Sequence, residues 1–303
     1  FFRALNVPSV EVTGGCFCCN YDDLDARLAQ LQEEHQPDVI FAESVGSCAD
    51  IVATVIKPLL QLSAKPASLS VFTDSRFLLR RLQGQEMPFA DDVVYIFDKQ
   101  IEETNILVVN KCDLLDASAL DRLTDACHAA FPKKRILMQS ALHAAQVQAW
   151  LAVLENHQSY NTPPLEIDYP RYGAGEATLT WLDARFTLEN TESAVLRGAL
   201  IALKNELHSA GAIIAHLKLM LDDGAQMIKV SMTATDNEGW SPNIPALNSP
   251  IAVTLNVRSQ IDVALLENLV RESLKHSLGA ASLQHWDAQC FVPGMPNPTH
   301  RLL

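Results

Sequence analysis

The sequence predicts an α/β protein, with a mostly parallel sheet that carries helices on both faces, followed by a smaller α+β domain. Short, continuous apolar runs such as Asn105–Val109 recur in the first half of the chain, and such runs are typical of strands buried on both faces. These runs alternate with helical patterns, an order that builds parallel sheets. A polar stretch rich in proline and glycine, residues 161–177, follows. We therefore predict domains at 1–160 and 178–303, joined by a linker.

In the first domain we predict five strands, each followed by at least one helix. The first helix begins near Asp22 or Asp23, either of which can supply an N-cap. Leu24, Leu28 and Leu31 then lie on one face of that helix. The predicted strands are Val7–Val12, Asp38–Ala42, Ser68–Thr73, Asn105–Val109 and Arg135–Gln139. The later predicted helices are Cys48–Leu62, Phe77–Gln83, Asp91–Glu103, Ala117–Ala130 and Ala144–Asn156.

The second domain shows runs of strands interrupted by two helices. Asp222-Asp223-Gly224 stands between two β-type runs and predicts a hairpin turn. The resulting order is that of an α+β layer, which we interpret as ferredoxin-like with an added strand. The predicted strands are Thr178–Leu188, Ile213–Leu221, Gln226–Thr235, Ile251–Arg258 and Ser282–Phe291, and the helices are Glu192–Ser209 and Val263–Leu278.

The composition argues against a nucleic-acid-binding, a membrane-spanning or a secreted disulfide-rich protein. The formal net charge of −13 argues against a nucleic-acid groove, which needs clustered Lys and Arg. The sequence has no run of about 18 apolar residues and no signal peptide, so we expect no membrane span. Seven cysteines, an odd number, do not form a secreted disulfide framework, and we expect a cytoplasmic protein. Because the chain begins at Phe1 without Met, we also expect that an N-terminal part is missing from this sequence.

Three cysteines, Cys16, Cys18 and Cys19, fall within four positions after Gly14 and Gly15. Clustered thiols in a reducing compartment are more often metal ligands or redox groups than disulfides. We therefore predict a site for a soft metal such as zinc or copper(I). A structural zinc clip and a few buried thiols are the alternatives. The other four cysteines are expected to be packing residues; they are Cys48, Cys112, Cys127 and Cys290.

A second motif, Asn110-Lys111-Cys112-Asp113, fits the N-K-x-D pattern of GTP-binding proteins. The Asp113 carboxylate can accept two hydrogen bonds from the guanine N1–H and 2-amino group, which adenine does not offer. The Lys111 stem would cover the base, and Asn110 would tie neighbouring loops together. Ser140-Ala141, one strand later, matches the short loop whose backbone N–H reads guanine O6. We predict guanine-nucleotide binding at these residues.

A third motif, Glu43-Ser44-Val45-Gly46, reads as an E-x-x-G variant of the GTPase D-x-x-G element. Glu43 would act on Mg²⁺, directly or through water, and the Gly46 N–H would approach the γ-phosphate. An ordinary helix-capping role is the alternative. All these groups follow predicted strands, and ligands of parallel sheets bind beyond the carboxyl ends of the strands. Asp74, which ends another predicted strand, is either a further nucleotide contact or a turn residue.

The phosphate-cradling loop G-x-x-x-x-G-K-[ST] does not occur between Phe1 and Leu303. Without its backbone N–H groups and lysine, phosphate binding would be weak. Either this loop lies upstream of Phe1 or the chain does not turn over nucleotide, so GTP hydrolysis is left open at this stage.

Together the motifs resemble the CobW-like branch of the CobW/HypB/UreG family of P-loop GTPases, over about residues 7–156. The resemblance rests on Gly15-Cys16-Phe17-Cys18-Cys19 for G-C-x-C-C, on Glu43–Gly46, and on Asn110–Asp113. It implies a P-loop-NTPase-like fold, GTP or GDP with Mg²⁺ as ligands, and Zn²⁺ or Co²⁺ on the cysteines. It also implies that the C-terminal domain contacts a client metalloenzyme.

The function that the resemblance implies is that of a GTP-hydrolysing metallochaperone or metal-enzyme activator, of the type associated with cobalamin synthesis. One alternative is a GTP-dependent activator of a corrinoid or other cofactor-dependent enzyme, in which the metal is structural. Another is a non-enzymatic metal-binding module on a degenerate GTPase fold. The expected partners are a guanine nucleotide and a client protein, without nucleic acid or membrane; a homodimer is left open.

Overall fold

The computed structural model describes residues 7–12, 15–63, 67–156, 163–236, 239–279 and 282–303. These residues form two compact units. The first contains the described residues up to Met87 together with Asp92–Tyr172 and Pro296–Leu303, and the second contains Pro88–Asp91 and Gly173–Met295. The last eight residues of the chain therefore pack with the first unit, although the sequence places them in the C-terminal domain.

A three-stranded parallel sheet organises the first unit, in the order β1-β2-β3. The central strand β2 is fully buried from Ile106 to Val109, as its continuous apolar run predicts. The strands are β1 (Ser70–Asp74), β2 (Ile106–Asn110) and β3 (Arg135–Met138). The helices are α1 (Tyr21–His35), α2 (Lys57–Leu62, continuing a π-helical segment Val52–Ile56), α3 (Ser75–Leu82), α4 (Asp91–Glu103), α5 (Ala117–Ala130) and α6 (Ala144–Asn156). The predicted α/β class is confirmed.

Two predicted strands are wrong. The described residues 7–12 and the run Asp38–Ala42 have no ladder partner and form no strand. Val39 and Phe41 are 62% and 63% exposed, whereas a strand inside a parallel sheet would be buried. A strand needs a neighbour that takes up its backbone hydrogen bonds, and an apolar run does not by itself supply one.

The predicted linker 161–177 is partly helical. Its last residues form α7, Tyr169–Ala177. The side chain of Tyr172 is buried, and its hydroxyl accepts a hydrogen bond from the Ala49 N–H at 3.1 Å. The Tyr169 hydroxyl donates to Asp50 Oδ2 at 2.8 Å. The polar composition of this stretch did not indicate these tyrosine contacts, which anchor the start of α7.

The second unit is a five-stranded antiparallel sheet with two helices, in the order β6-β5-β7-β4-β8. Without the edge strand β6, the order is the β-α-β-β-α-β arrangement that the sequence predicts. The hairpin turn lies at the predicted place, where Gly224 has a φ of +81°. The elements are β4 (Thr180–Leu188), α8 (Ser193–Ser209), β5 (Ile213–Asp222), β6 (Met227–Thr233), β7 (Ile251–Gln260), α9 (Val263–Leu278) and β8 (Leu283–Phe291).

One core holds the second unit together. Leu200 and Leu203 of α8 and Leu266 and Val270 of α9 are fully buried, at helical spacing, against alternate residues of the sheet. Among the described residues, no helix combines the length and the apolar character that crossing a membrane requires.

Candidate functional site

The loops that follow β2 and β3 are joined by hydrogen bonds. The Asn110 side-chain Oδ1 accepts from the Ala141 N–H at 2.9 Å, and the Cys112 N–H donates to the Gln139 carbonyl at 3.1 Å. The predicted role of Asn110, to tie neighbouring loops together, corresponds to this geometry. The N-K-x-D loop and the Ser140-Ala141 loop thus meet at the carboxyl edge of the sheet, where ligands of such sheets bind.

Lys111 is held in place by the end of β1. Its backbone is left-handed, with a φ of +62°, and its carbonyl accepts from the Ser75 hydroxyl at 3.0 Å. Its Nζ lies 3.0 Å from Asp74 Oδ2. Burial opposes ionisation of Asp74, but hydrogen bonds from Arg76 and Lys111 hold the pKa of this carboxyl below its usual range. Asp74 therefore positions Lys111, a role that sequence analysis had not assigned to it.

The remaining guanine-reading residues differ in their exposure. Asp113 and Ala141 are exposed, whereas Ser140 is buried and its N–H donates to Gln146 Oε1 at 2.6 Å. An exposed carboxylate beside a fixed lysine stem can accept hydrogen bonds from a base. This arrangement has the chemistry that the N-K-x-D pattern requires.

The three clustered cysteines form a tight turn ahead of α1. The Cys19 and Asn20 N–H groups both donate to the Cys16 carbonyl, at 3.2 and 3.1 Å. Cys16 Sγ lies 2.8 Å from Cys18 Sγ and 3.2 Å from Cys19 Sγ, and Cys18 Sγ lies 3.8 Å from Cys19 Sγ. Zn–S bonds of about 2.3 Å in a tetrahedral site place sulfurs roughly 3.8 Å apart. The donor set fits a soft metal ion, and its three sulfurs lie within 4.8 Å of one another. The pairs that include Cys16 are closer than they would be around zinc, so a bound ion would spread them apart.

Hydrogen bonds among the thiols separate their pKa values. Hydrogen bonds from the thiols of Cys18 and Cys48 hold the pKa of Cys16 well below its usual range. The shared hydrogen bond with Cys16 and burial raise the pKa of Cys18, and burial raises the pKa of Cys19. These shifts favour ionisation of Cys16 over that of its neighbours, and a bound metal ion would displace the remaining protons.

Cys48 is a neighbour of this cluster that sequence analysis treated as packing. It is 4% exposed, shares an apolar cluster with Cys16, Cys18 and Cys19, and its thiol hydrogen-bonds to that of Cys16. The sequence did not indicate this contact, because Cys48 is far from Cys16 along the chain and only the fold brings their two turns together.

The Glu43–Gly46 segment does not follow a strand, contrary to the prediction. Glu43 and Gly46 are both exposed, and the Gln100 amide donates to the Gly46 carbonyl at 2.8 Å. Val45 packs against the cysteine-containing apolar cluster. The structure therefore joins this segment to the clustered cysteines, while the N-K-x-D loop and the Ser140-Ala141 loop meet each other at the sheet edge.

A groove of about 760 Å³ lies at the amino ends of β2 and β3, lined among others by Asn105 and Lys134. It contains none of the predicted site residues. The Lys134 Nζ donates to the Glu102 and Thr104 carbonyls there, which occupies two of its three N–H donors with backbone. We assign no ligand to this groove.

Comparison with known families matches the first part of the chain. The model of the family described as "CobW/HypB/UreG, nucleotide-binding domain" matches residues 2–138. Residues 2–138 are thus similar to the nucleotide-binding domain of the CobW/HypB/UreG family. The matched residues include the cysteine turn, Glu43–Gly46 and Asn110–Asp113, so the resemblance drawn from these motifs is confirmed.

A curated relative carries the same family name. The "Zinc chaperone CobW" of Sinorhizobium sp is 22% identical over 148 residues, which cover 43% of this chain and 42% of the relative. The chain therefore matches less than half of the length of that relative. No solved structure matches the chain.

Proposed function

We propose that the protein is a GTP-dependent metal carrier whose cargo is bound by Cys16, Cys18 and Cys19. The observation that carries the proposal is the meeting of three thiols within 3.8 Å in a CobW-type nucleotide-binding domain. Zn²⁺ is the cargo that we favour, because the relative is named a zinc chaperone and thiolates suit zinc. Co²⁺ is the second cargo consistent with this donor set.

In this proposal the sheet edge binds the guanine base. Asp113 accepts hydrogen bonds from the base, Lys111 covers it, and the Ser140-Ala141 loop offers a backbone N–H to O6. The contact between Asn110 and Ala141 supports this assignment, because it holds the two loops in register. Glu43 acts on Mg²⁺ and the Gly46 N–H approaches the γ-phosphate.

The nucleotide controls metal affinity through the Glu43–Gly46 segment. Val45 packs against the cysteine cluster, so a shift of this segment changes the surroundings of the thiols. By linkage, metal binding must then change nucleotide affinity by the same factor. The second unit is the surface that we propose for a client metalloenzyme. We further propose a cytoplasmic activity, because clustered free thiols persist in a reducing compartment.

The test is metal affinity by chelator competition on the full-length protein, first with GTP and then with GDP. We expect a clear difference in Zn²⁺ affinity between the two states, which Cys18→Ser abolishes. Cys127→Ser is the matched control, because Cys127 is buried in a different apolar cluster of the same unit. Equal metal affinity in both nucleotide states would contradict the carrier and favour an activator of a cofactor-dependent enzyme with a structural metal.

A further inference from the structure

We propose that Cys48 supplies a fourth thiolate to the metal site. Three thiolates leave a tetrahedral zinc site one ligand short. The buried Cys48 thiol hydrogen-bonds to Cys16 and lies in the same apolar cluster as all three ligands. Among the described residues, the sulfurs that already lie within 4.8 Å of one another are those of Cys16, Cys18 and Cys19, so Cys48 completes the site by turning its side chain toward the bound metal. The inference rests on the proposed function, since it completes the same site.

A fourth ligand at this position explains how nucleotide and metal are coupled. Cys48 lies two residues after Gly46, and its N–H donates to the Val45 carbonyl at 2.9 Å. The Gln100 amide donates to the carbonyls of both Gly46 and Cys48, at 2.8 and 2.9 Å. These hydrogen bonds tie Val45, Gly46 and Cys48 together, so we expect this turn to move as a unit. A metal ion held by Cys48 pulls on the Glu43–Gly46 segment directly, without an intermediate side chain.

The experiment counts thiolates on the metal. Co²⁺-loaded full-length protein is compared with Cys48→Ser and with the control Cys127→Ser by the intensity of the thiolate-to-cobalt absorption. We expect the Cys48→Ser band to fall by about a quarter, which corresponds to three thiolates instead of four. We also expect Co²⁺ affinity to fall by about tenfold or more and to become equal with GTP and GDP.

The outcomes separate this inference from the proposed function. An unchanged band and affinity in Cys48→Ser, with metal binding lost in Cys18→Ser, would overturn the role of Cys48 and leave the carrier intact. Failure of the wild-type protein to bind metal would overturn both. X-ray absorption of the zinc-loaded wild-type protein gives the sulfur count without any variant: four sulfurs support the inference, and three or fewer overturn it.

A different observation concerns the last residues of the chain, Pro296–Leu303, which we call the C-terminal strap. It runs along the cysteine turn. The Asn297 N–H donates to Cys19 Sγ at 3.3 Å, and the Thr299 N–H donates to the Cys18 carbonyl at 2.8 Å. The Thr299 hydroxyl donates to the Cys19 carbonyl at 3.2 Å. We infer that this strap is a positioning element of the metal site and retards metal release.

The strap is anchored beyond the cysteines. The Arg301 Nε donates to Asp50 Oδ2 at 2.7 Å, and Asp50 is fully buried. The Leu302 N–H donates to the Ala53 carbonyl at 2.9 Å, and the His300 ring packs edge-on to Tyr21 at 4.9 Å. A charge pair with a buried carboxylate is costly to break. The strap is therefore fixed at the point where its backbone N–H reaches Cys19.

Hydrogen bonds to a ligand sulfur stabilise its thiolate and fix its direction, as outer-sphere contacts do in metal sites generally. Asn297→Pro removes the N–H that reaches Cys19, and Asn297→Ala is the matched control because it keeps that N–H. We expect Zn²⁺ to leave Asn297→Pro about tenfold faster than the control when excess chelator is added.

Equal rates of metal release in the two Asn297 variants and in the wild type would overturn the role of the strap. Deletion of residues 296–303 is the second variant, with Arg301→Ala as a milder one; both are expected to speed release. A deletion that folds by circular dichroism and releases Zn²⁺ at the wild-type rate would equally contradict the inference. Neither result bears on whether Cys16, Cys18 and Cys19 bind the cargo.

Discussion

At the scale of single residues, Glu103 is a buried acid that the motifs did not indicate. Its side chain is 2% exposed at the end of α4, and Oε1 accepts from the Val52 N–H at 2.5 Å. Desolvation raises its pKa to about 7, although backbone hydrogen bonds near the start of the π-helical segment oppose the shift. The nearby Asp50 carboxylate, which pairs with Arg301, adds to the rise.

This pKa predicts that the protein becomes less stable as the pH rises from about 4.5 to about 7. In this window the unfolded chain has lost a proton that Glu103 keeps in the folded state, so the free energy of unfolding falls, by up to about 3 kcal/mol in total, and levels off above pH 7. Glu103→Gln should flatten the pH dependence of the urea midpoint. Glu102→Gln, on an exposed neighbour, should leave that dependence unchanged. A Glu103→Gln profile that parallels the wild type would contradict the assignment.

At the scale of elements, two loops act as one unit. The loops after β2 and β3 are joined by the Asn110 to Ala141 hydrogen bond, and Asp74 at the end of β1 holds Lys111. Each strand thus delivers one part of the edge that we propose for the guanine base. The cysteine turn, by contrast, is joined to Val45 and Cys48 by packing rather than by a strand ladder. The fold therefore organises two sites by two different means.

Asn110→Ala should weaken guanine-nucleotide binding by about tenfold, because the Ala141 N–H loses its acceptor and the two loops are no longer held in register. The cost in folding free energy should be only about 1 kcal/mol, the net value of one hydrogen bond. Fluorescent GDP binding and urea unfolding measure the two effects. Asn268→Ala, on the exposed side of α9, should change neither. If Asn110→Ala binds GDP as tightly as the wild type, the contact between the two loops does not contribute to nucleotide binding.

At the scale of the whole molecule, the two units have separate cores. The second unit packs α8 and α9 on one sheet, whereas the first divides its apolar side chains among smaller clusters. One of these smaller clusters contains the cysteines that we propose as metal ligands. The proposed metal site therefore shares its packing with the first unit, and the core of the second unit consists of other residues.

Leu200→Ala should destabilise the second unit by about 2 to 5 kcal/mol, because this side chain is fully buried between α8 and the sheet. Leu265→Ala, at a position 55% exposed on α9, should cost less than about 1 kcal/mol. Thermal unfolding followed by circular dichroism compares the two. We expect Co²⁺ binding at 25 °C to persist in Leu200→Ala. Loss of metal binding at temperatures where that variant is folded would show that the two cores are not independent.

The sequence by itself determined what depends on near neighbours in the chain. Helices α4, α5, α6 and α9 have the predicted bounds, because the repeat of apolar residues and the capping Asp residues are local signals. The same holds for the buried run of β2 and for the turn that gathers Cys16, Cys18 and Cys19. Motif spacing also identified the family.

Only the tertiary structure decided which distant segments meet. It left Asp38–Ala42 without a strand partner, placed Cys48 beside Cys16, paired Asp74 with Lys111, and returned the C-terminal strap to the cysteine turn. The most distant of these contacts joins Thr299 to Cys18. Local pattern contains no information about them, because a partner's identity depends on the packing of the whole chain and on which backbone groups remain to be satisfied.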